Sequence, residues 1–294
     1  MKSSFLKSSL PPDQLKYLIY EHSVQSPQWQ VDYLPQFHVA LTGKKPFRMR
    51  EDFSGTGKIA TEWVKRSSKN IAVGLDFDTE VLRYAKTVNQ ASLTAQQQKR
   101  VQFYQRDVRQ GSRATDVVKK FDWIGAFNFS YFVFHERAEL LDYAKSIYRS
   151  LDDIGTVFFE IAGGPGFLKS TEESKMVGVP GVGKVKQVWE QHHYDPITSV
   201  CDYSIHFQLP KKFGPAAWIP NAFNYHWRVW QIRELREILA EAGFVQSQVL
   251  WESKDSKGCG MGEFLPTDFA ENEESWLAYV VGLKKSKRSF SIKK

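Results

Sequence analysis

Long apolar runs are missing from this sequence. No stretch of eighteen residues is apolar throughout, which excludes a membrane-crossing helix. Met1–Pro12 is short and polar and has no apolar centre of the kind a secretion signal needs. Cysteine is scarce: Cys201 and Cys259 stand far apart, in no metal-type spacing, so a reducing, cytoplasmic setting is the economical reading. His192-His193 has no third ligand near it, and no metal is expected. No internal repeat is visible. Charge balance outside the C-terminus is nearly neutral. Of the formal net +7, six basic residues and no acid fall in Lys284–Lys294, leaving +1 for the rest of the chain. The plain reading is a frayed, solvated basic tail, the alternative a tail that touches RNA or membrane lipid.

What is present suffices for a core. The apolar fraction is 42% and the aromatic fraction 14%, in a length that suits one large domain or a domain with an insertion. Residues 13–42 read as helical, broken in two at Ser26-Pro27. A strand–helix alternation follows. Strands are expected over Phe47–Phe53, Ile71–Phe77, Val101–Arg106, Trp123–Phe129 and Thr156–Ile161. Helices are expected through Ala60–Val64, through Val81–Ala85 with Thr79 as cap, and over Arg137–Leu151. Residues 165–184 read as a loop. Val185–His193, Thr198–Leu209 and Ala222–Trp230 then alternate as three antiparallel strands, a cap over the open edge of the core. The rhythm resumes with a helix over Glu234–Ala242, stopped by Gly243, and strands over Val245–Trp251 and Trp276–Leu283. The whole implies a doubly wound, mostly parallel α/β sheet covered on both faces.

The sharpest local feature is Glu51-Asp52-Phe53-Ser54-Gly55-Thr56-Gly57, between the first strand and the first core helix. Two glycines allow a tight turn and close approach to a ligand, and the helix start offers free amides. A phosphate-binding loop fails, because Asp52 stands at its first glycine and Lys58 is followed by Ile59. A dinucleotide turn passes on Gly55, Gly57 and Ala60, yet the acidic pair would face a pyrophosphate. Acid here suits a cationic or amino-bearing cofactor. Asp76 ends the second strand, where a carboxylate can accept from ribose hydroxyls. Asp107 ends the third, where one can accept from an adenine amino group. Asn128-Phe129-Ser130-Tyr131 ends the fourth. All lie at carboxyl ends of parallel strands, where open α/β sheets bind ligands.

This ordered set resembles the class I S-adenosylmethionine-dependent methyltransferases from about Phe47 to Leu283, allowing for the insertion. The resemblance implies a Rossmann-like, seven-stranded sheet with an antiparallel last strand over Ser275–Leu283. It implies S-adenosylmethionine as cofactor and S-adenosylhomocysteine as product. It matches the acidic-Gly-x-Gly loop to Glu51–Gly57, with Arg50, Asp52, Ser54, Gly55, Thr56 and Gly57 as contacts and Ser54 where many such enzymes have another glycine. Asp76 matches the ribose acid, with Phe77 against adenine. Asp107 matches the adenine acid, with a Val108 amide contact. The runs Tyr20–Trp29, Arg50–Gly57, Asn128–Phe134 and Tyr225–Trp230 also resemble a group of such enzymes known by fold alone.

For the acceptor, Asn128–Tyr131 partly resembles the Asn-Pro-Pro-Tyr motif of amino-group methyltransferases, without its prolines. Asn128 and Tyr131 can line the site, or the strand end can simply pack under the cofactor. His135 is a candidate base or a plain helix-capping residue. Glu160 ends the fifth strand on the acceptor side. Tyr225 and Trp227 share one strand face, His226 and Arg228 the other, so one pair faces the site. The candidate catalytic set is His135, Tyr131, Tyr225 and His226, and the candidate substrate set Tyr131, Glu160, Trp227 and Arg228. Tyr20, Gln25 and Trp29 can close as a lid, or their helix can pack on the sheet edge. The expected organisation is helices and lid over 1–46, core over 47–164 and 230–285, cap over 165–229 and basic tail over 286–294. The expected activity is methyl transfer to an N or O nucleophile of a small molecule under the cap. An RNA or protein methyltransferase, and a non-catalytic partner subunit retaining the fold, are the alternatives.

Overall fold

The computed structural model describes residues 11–113, 118–214, 217–256 and 260–285. Helices α1 (Pro12–Ser23) and α2 (Pro27–Thr42) open the chain. Both carry proline in the first turn, where the missing amide is harmless, and Gly43 ends α2 at φ 68°. The core then alternates β1 (Arg48–Asp52), α3 (Lys58–Arg66), β2 (Ile71–Asp76), α4 (Thr79–Tyr84), α5 (Ala95–Gln98), β3 (Val101–Gln105), β4 (Phe121–Ala126), α6 (Arg137–Ser150) and β5 (Leu151–Gly163). Four strands follow: β6 (Thr171–Val179), β7 (Gly183–Asp195), β8 (Val200–Gln208) and β9 (Trp218–Arg228). Helix α7 (Ile232–Glu241) and strands β10 (Gln246–Lys254), β11 (Gly260–Thr267) and β12 (Trp276–Leu283) complete the chain.

The main sheet has the order β11-β10-β12-β5-β4-β1-β2-β3. Strands β1 to β5 are mutually parallel, and β12 runs antiparallel between β5 and β10. Chain order reverses between β1 and β4, which opens a crevice at their carboxyl ends. Inner strands β2, β4 and β5 are mostly apolar on both faces because both are covered, whereas the inner strand β1 carries buried Arg50, Glu51 and Asp52. On one face Trp63 of α3 meets Trp123 edge-on at 5.3 Å, within a cluster that includes Leu34 of α2. On the other, Ile147 of α6 and Leu235, Ile238 and Leu239 of α7 pack over Ile124 and Phe159.

The second sheet, β6-β7-β8-β9, is the cap. Leu15, Leu18 and Ile19 of α1 pack against its Val185, Ile205 and Phe207, whereas α2 packs on the core. The two N-terminal helices therefore serve different layers.

Several expectations are corrected. The cap has four strands, because Thr171–Val179, read as loop, pairs with β7 from Thr171↔Gln191 to Val179↔Gly183. The main sheet has eight strands, because β11 adds an antiparallel edge to β10. Asp78, not Thr79, caps α4, accepting the Glu80 and Val81 amides. The basic C-terminal run is not solvated from its start: Lys284 is buried, its Nζ donating to the Leu151 carbonyl at 2.8 Å, and Lys285 pairs with Asp153 at 3.2 Å. Cys259 and residues 286–294 lie outside the described residues. No helix among the described residues is long and apolar enough to cross a membrane.

Candidate functional site

The site grows from alternation along β1. Arg50 and Asp52 point to the α6 face, and Glu51 to the α3 face. Arg50 Nε lies 2.7 Å from Asp52 Oδ1, its Nη2 donates to Asp52 Oδ2 at 2.8 Å, and the Tyr143 hydroxyl donates to the same oxygen at 2.8 Å. All three side chains are buried, so the Asp52 charge is met inside the protein. Glu51 accepts the Ala60 amide at 2.8 Å and so satisfies one of the free amides that open α3. Burial pushes its carboxyl well above the usual range.

The turn after β1 is left-handed at Phe53 (φ 54°), Gly55 (φ 51°) and Gly57 (φ 65°). The non-glycine left-handed residue is thus Phe53 rather than Ser54. At Gly57 a Cβ would sit 2.2 Å from the Phe103 ring, so only glycine fits. The Gly55 amide donates to Asp76 Oδ2 at 2.6 Å, and the Asp78 amide to Asp76 Oδ1 at 3.0 Å. Burial raises the Asp76 carboxyl above its ordinary value, against the pull of these amides.

Above this turn lies a cavity of about 280 Å³. Gly55, Thr56, Asp76 and Asn128 line it from the core, Tyr20 and Gln25 from α1 and the loop after it, and Phe223, Tyr225 and Trp227 from β9. A hydrogen bond joins the hydroxyls of Tyr20 and Tyr225, and burial raises both phenols. Helix α1 and the cap thus meet over the crevice. Thr56 Oγ1, Gln25 Oε1 and Trp227 Nε1 are buried there without a hydrogen-bond partner.

No family model matches the chain, and no curated protein does. Solved structures do. DesVI of Streptomyces venezuelae shares 14% identity, covering 94% of this chain and 99% of its own, with a TM-score of 0.67. CalS10, an amino pentose methyltransferase of Micromonospora echinaspora solved with S-adenosylmethionine bound, shares 15% identity over 92% of this chain and 97% of its own, at 0.65. The sugar N-methyltransferase KedS8 of a Streptoalloteichus species shares 16% identity over 92% of each chain, at 0.63. The chain has the class I methyltransferase fold.

Within this methyltransferase fold the sequence-named residues divide. Tyr20, Gly55, Thr56, Asp76, Asn128, Tyr225 and Trp227 converge on the cavity. Arg50 and Asp52 do not, because they close on each other beneath it. Tyr131 is turned into the core, its ring 4.9 Å from Phe159, because the 3-10 turn Ser130–Val133 rotates it inward. His226 and Arg228 lie on the outer face of β9, opposite Tyr225 and Trp227. There His135 Nε2 sits 2.9 Å from the His226 carbonyl, His226 Nδ1 lies 2.6 Å from Asp202, and Arg228 donates to the His135 carbonyl at 2.8 Å. These residues fasten the segment after β4 to the cap. Glu160 lies under the wall, accepting the Asn128 amide at 2.7 Å, and burial raises it to about 7.

Phe77 is 75% exposed beside Asp76. The Asp107 carboxylate is held below its usual range by Arg109, 2.7 Å away, and Val108 is buried next to it. None of the three lines the cavity. Trp29 stacks on Tyr279 at 5.6 Å and so packs on the sheet, while Tyr20 and Gln25 reach the cavity. Ser130, part of the run expected at the end of the fourth strand, also lines the cavity; missed by the sequence were Phe223 there and the left-handed backbone of Asn128 (φ 54°) and Phe129 (φ 56°). Among the described residues no three His, Cys, Asp or Glu side chains form a metal site.

Proposed function

We propose that the chain is an S-adenosylmethionine-dependent methyltransferase acting on a small molecule, by in-line transfer to a nitrogen or oxygen under the β cap. The observation that carries this reading is the cavity at the β1/β4 switch point, floored by the Gly55–Thr56 turn and Asp76 and roofed by α1 and β9. Its chemistry fits a nucleoside bearing a sulfonium. Asp76 accepts the Gly55 amide at Oδ2 and the Asp78 amide at Oδ1, the Phe77 amide also bears on it, and its four lone-pair sites leave room for a ribose hydroxyl. Thr56 Oγ1 and Gln25 Oε1 are buried polar atoms in want of partners. Tyr20, Tyr225 and Trp227 present aromatic faces that favour a cation.

When bound, the cofactor supplies an electrophilic methyl group. The chain's own residues orient the reactants and keep water out, and alignment is the larger part of such catalysis. Gly55, Thr56, Gly57, Asp76, Asn128 and Tyr20 would hold the cofactor. Phe77 would face adenine at the rim, with Asp107 and Val108 at the next strand end. Tyr225 and Trp227 would face the acceptor. Residues 47–164 and 230–285 then form the cofactor-binding core, and 165–229 the acceptor cover. The names of the solved neighbours, an amino pentose and a sugar N-methyltransferase among them, support a small acceptor. Calorimetric titration with S-adenosylhomocysteine tests the assignment: saturable binding at one site is expected. Tighter binding of NAD, or no binding of either, would overturn it.

A further inference from the structure

A second, larger cavity of about 520 Å³ lies beyond a single layer of rings from the first. Phe129 and Trp189 line it, and both touch Trp227, which lines the first, at 6.2 and 6.4 Å between ring centroids. Trp276 and Phe167 add further aromatic wall. Two buried polar atoms in it lack partners: Gln187 Oε1 and Ser23 Oγ, each on a side chain of a residue only 6% exposed. Gln187 Oε1 can only accept, so it calls for a ligand that donates. A buried acceptor left unpaired is costly, and a bound donor would recover that cost.

Charge points the same way. The lining includes no arginine. Of its two lysines, Lys254 is committed to Glu273 and to the Ser275 carbonyl. Lys175 and Glu173 stand two residues apart on the exposed strand β6, so their charges offset each other. That leaves the half-buried Glu252, and a cation would meet its carboxylate and the ring faces.

We propose that this second cavity receives the body of the methyl acceptor, whose reacting end passes Trp227, the ring shared by the two cavities, to reach the cofactor, and that the acceptor is an amine with an apolar or planar body and no anionic group. The inference rests on the methyltransferase reading above. An acceptor that arrives as an ammonium first releases a proton to solvent, and the freed lone pair would form the new N–C bond while the S–C bond breaks and leaves its electron pair on sulfur. The methylated nitrogen then carries the positive charge that sulfur has lost. Positive charge passes from sulfur to nitrogen in this step, so a cavity that favours a cation favours the transition state.

The test uses the full chain saturated with S-adenosylhomocysteine and titrated in a calorimeter with phenethylamine, phenethyl alcohol, phenylacetate and phenyl phosphate. Phenethylamine is expected to bind at least about tenfold tighter than either anion. Gln187→Leu should weaken the amine about tenfold while leaving S-adenosylhomocysteine affinity within about twofold. Glu252→Gln is the second variant, and it should weaken the amine more than the alcohol. Anions that bind as well as the amine, no amine binding at all, or both variants binding it like the parent would each overturn the inference. Failure of S-adenosylhomocysteine to bind would instead overturn the methyltransferase reading, and the two failures are read in separate titrations.

Discussion

Asp76 shapes the turn after β1 and is proposed to meet the cofactor, and a pair of variants can separate the two roles. Its oxygens accept the Gly55 amide at 2.6 Å and the Asp78 amide at 3.0 Å, which shapes the turn, and its remaining lone pairs face the cavity. In Asp76→Asn one acceptor remains and the other becomes a donor, so one amide bond survives and the negative charge is gone. Hydrogen bonds to a charged group contribute about 1.5–3 kcal/mol, so S-adenosylhomocysteine affinity should fall about 10- to 150-fold. Stability should fall less, by about 1 kcal/mol, because removing a charge that burial disfavours offsets part of the lost bonding. Asp76→Ala removes both acceptors and should lose more of each. Calorimetric affinity and the melting temperature, measured on the same samples at neutral pH, give the two readouts. An Asp76→Asn protein that melts like the parent and binds S-adenosylhomocysteine within about twofold would refute the placement of this carboxylate at the ligand.

Three further outcomes are expected. Gly57→Ala should destabilise by about 2–4 kcal/mol, from a left-handed φ and a clash with Phe103, whereas Gly55→Ala, with open space around it, should lose only about 1 kcal/mol; chemical denaturation compares them, and equal losses would contradict the geometry. Glu160 is raised by burial to about 7, so the folded chain holds its proton where the unfolded chain, near 4.3, has released it. Its stabilising contribution is complete below about pH 4.3 and fades as pH rises to about 7, by something on the order of 3 kcal/mol. Glu160→Gln should flatten that decline in melts across this range, and an unchanged slope counts against the burial argument. His226→Ala, on the outer seam, should leave S-adenosylhomocysteine affinity within about twofold, and a loss like that of Asp76→Ala would place the site elsewhere.

Most of the core was legible because strands covered on both faces must be apolar throughout, as β4 is at Phe121, Trp123, Ile124 and Ala126. The edge strands were not. Thr171–Val179 is almost wholly exposed and carries Glu172, Glu173 and Lys175, the charges that protect an edge from pairing, so it reads like a loop. Strand β11 shares the problem. The Gly55–Gly57 turn was legible through its glycines, and the place of Asp76 beside it through its position after β2. Along β9 the two pairs were legible, but not which one faced inward, because that depends on where the cap docks. Tyr131 was misplaced because a short 3-10 turn breaks the strand's period of two. Lys284 was taken for tail because nothing local announces that the Leu151 carbonyl waits for it.

Phe53 carries a wider consequence. A bulky residue in the left-handed region costs about 1–2 kcal/mol relative to an ordinary conformation. Its ring is seated between Phe134 and Tyr143, at 5.9 and 5.6 Å, and that packing holds the corner from behind. Asn128 and Phe129 hold the corner after β4 in the same left-handed region without glycine. At these three positions the bend is therefore held by the rings packed around it and not by the freedom of the residue that makes it, whereas at Gly57 of the same crevice the Phe103 ring leaves room for glycine alone.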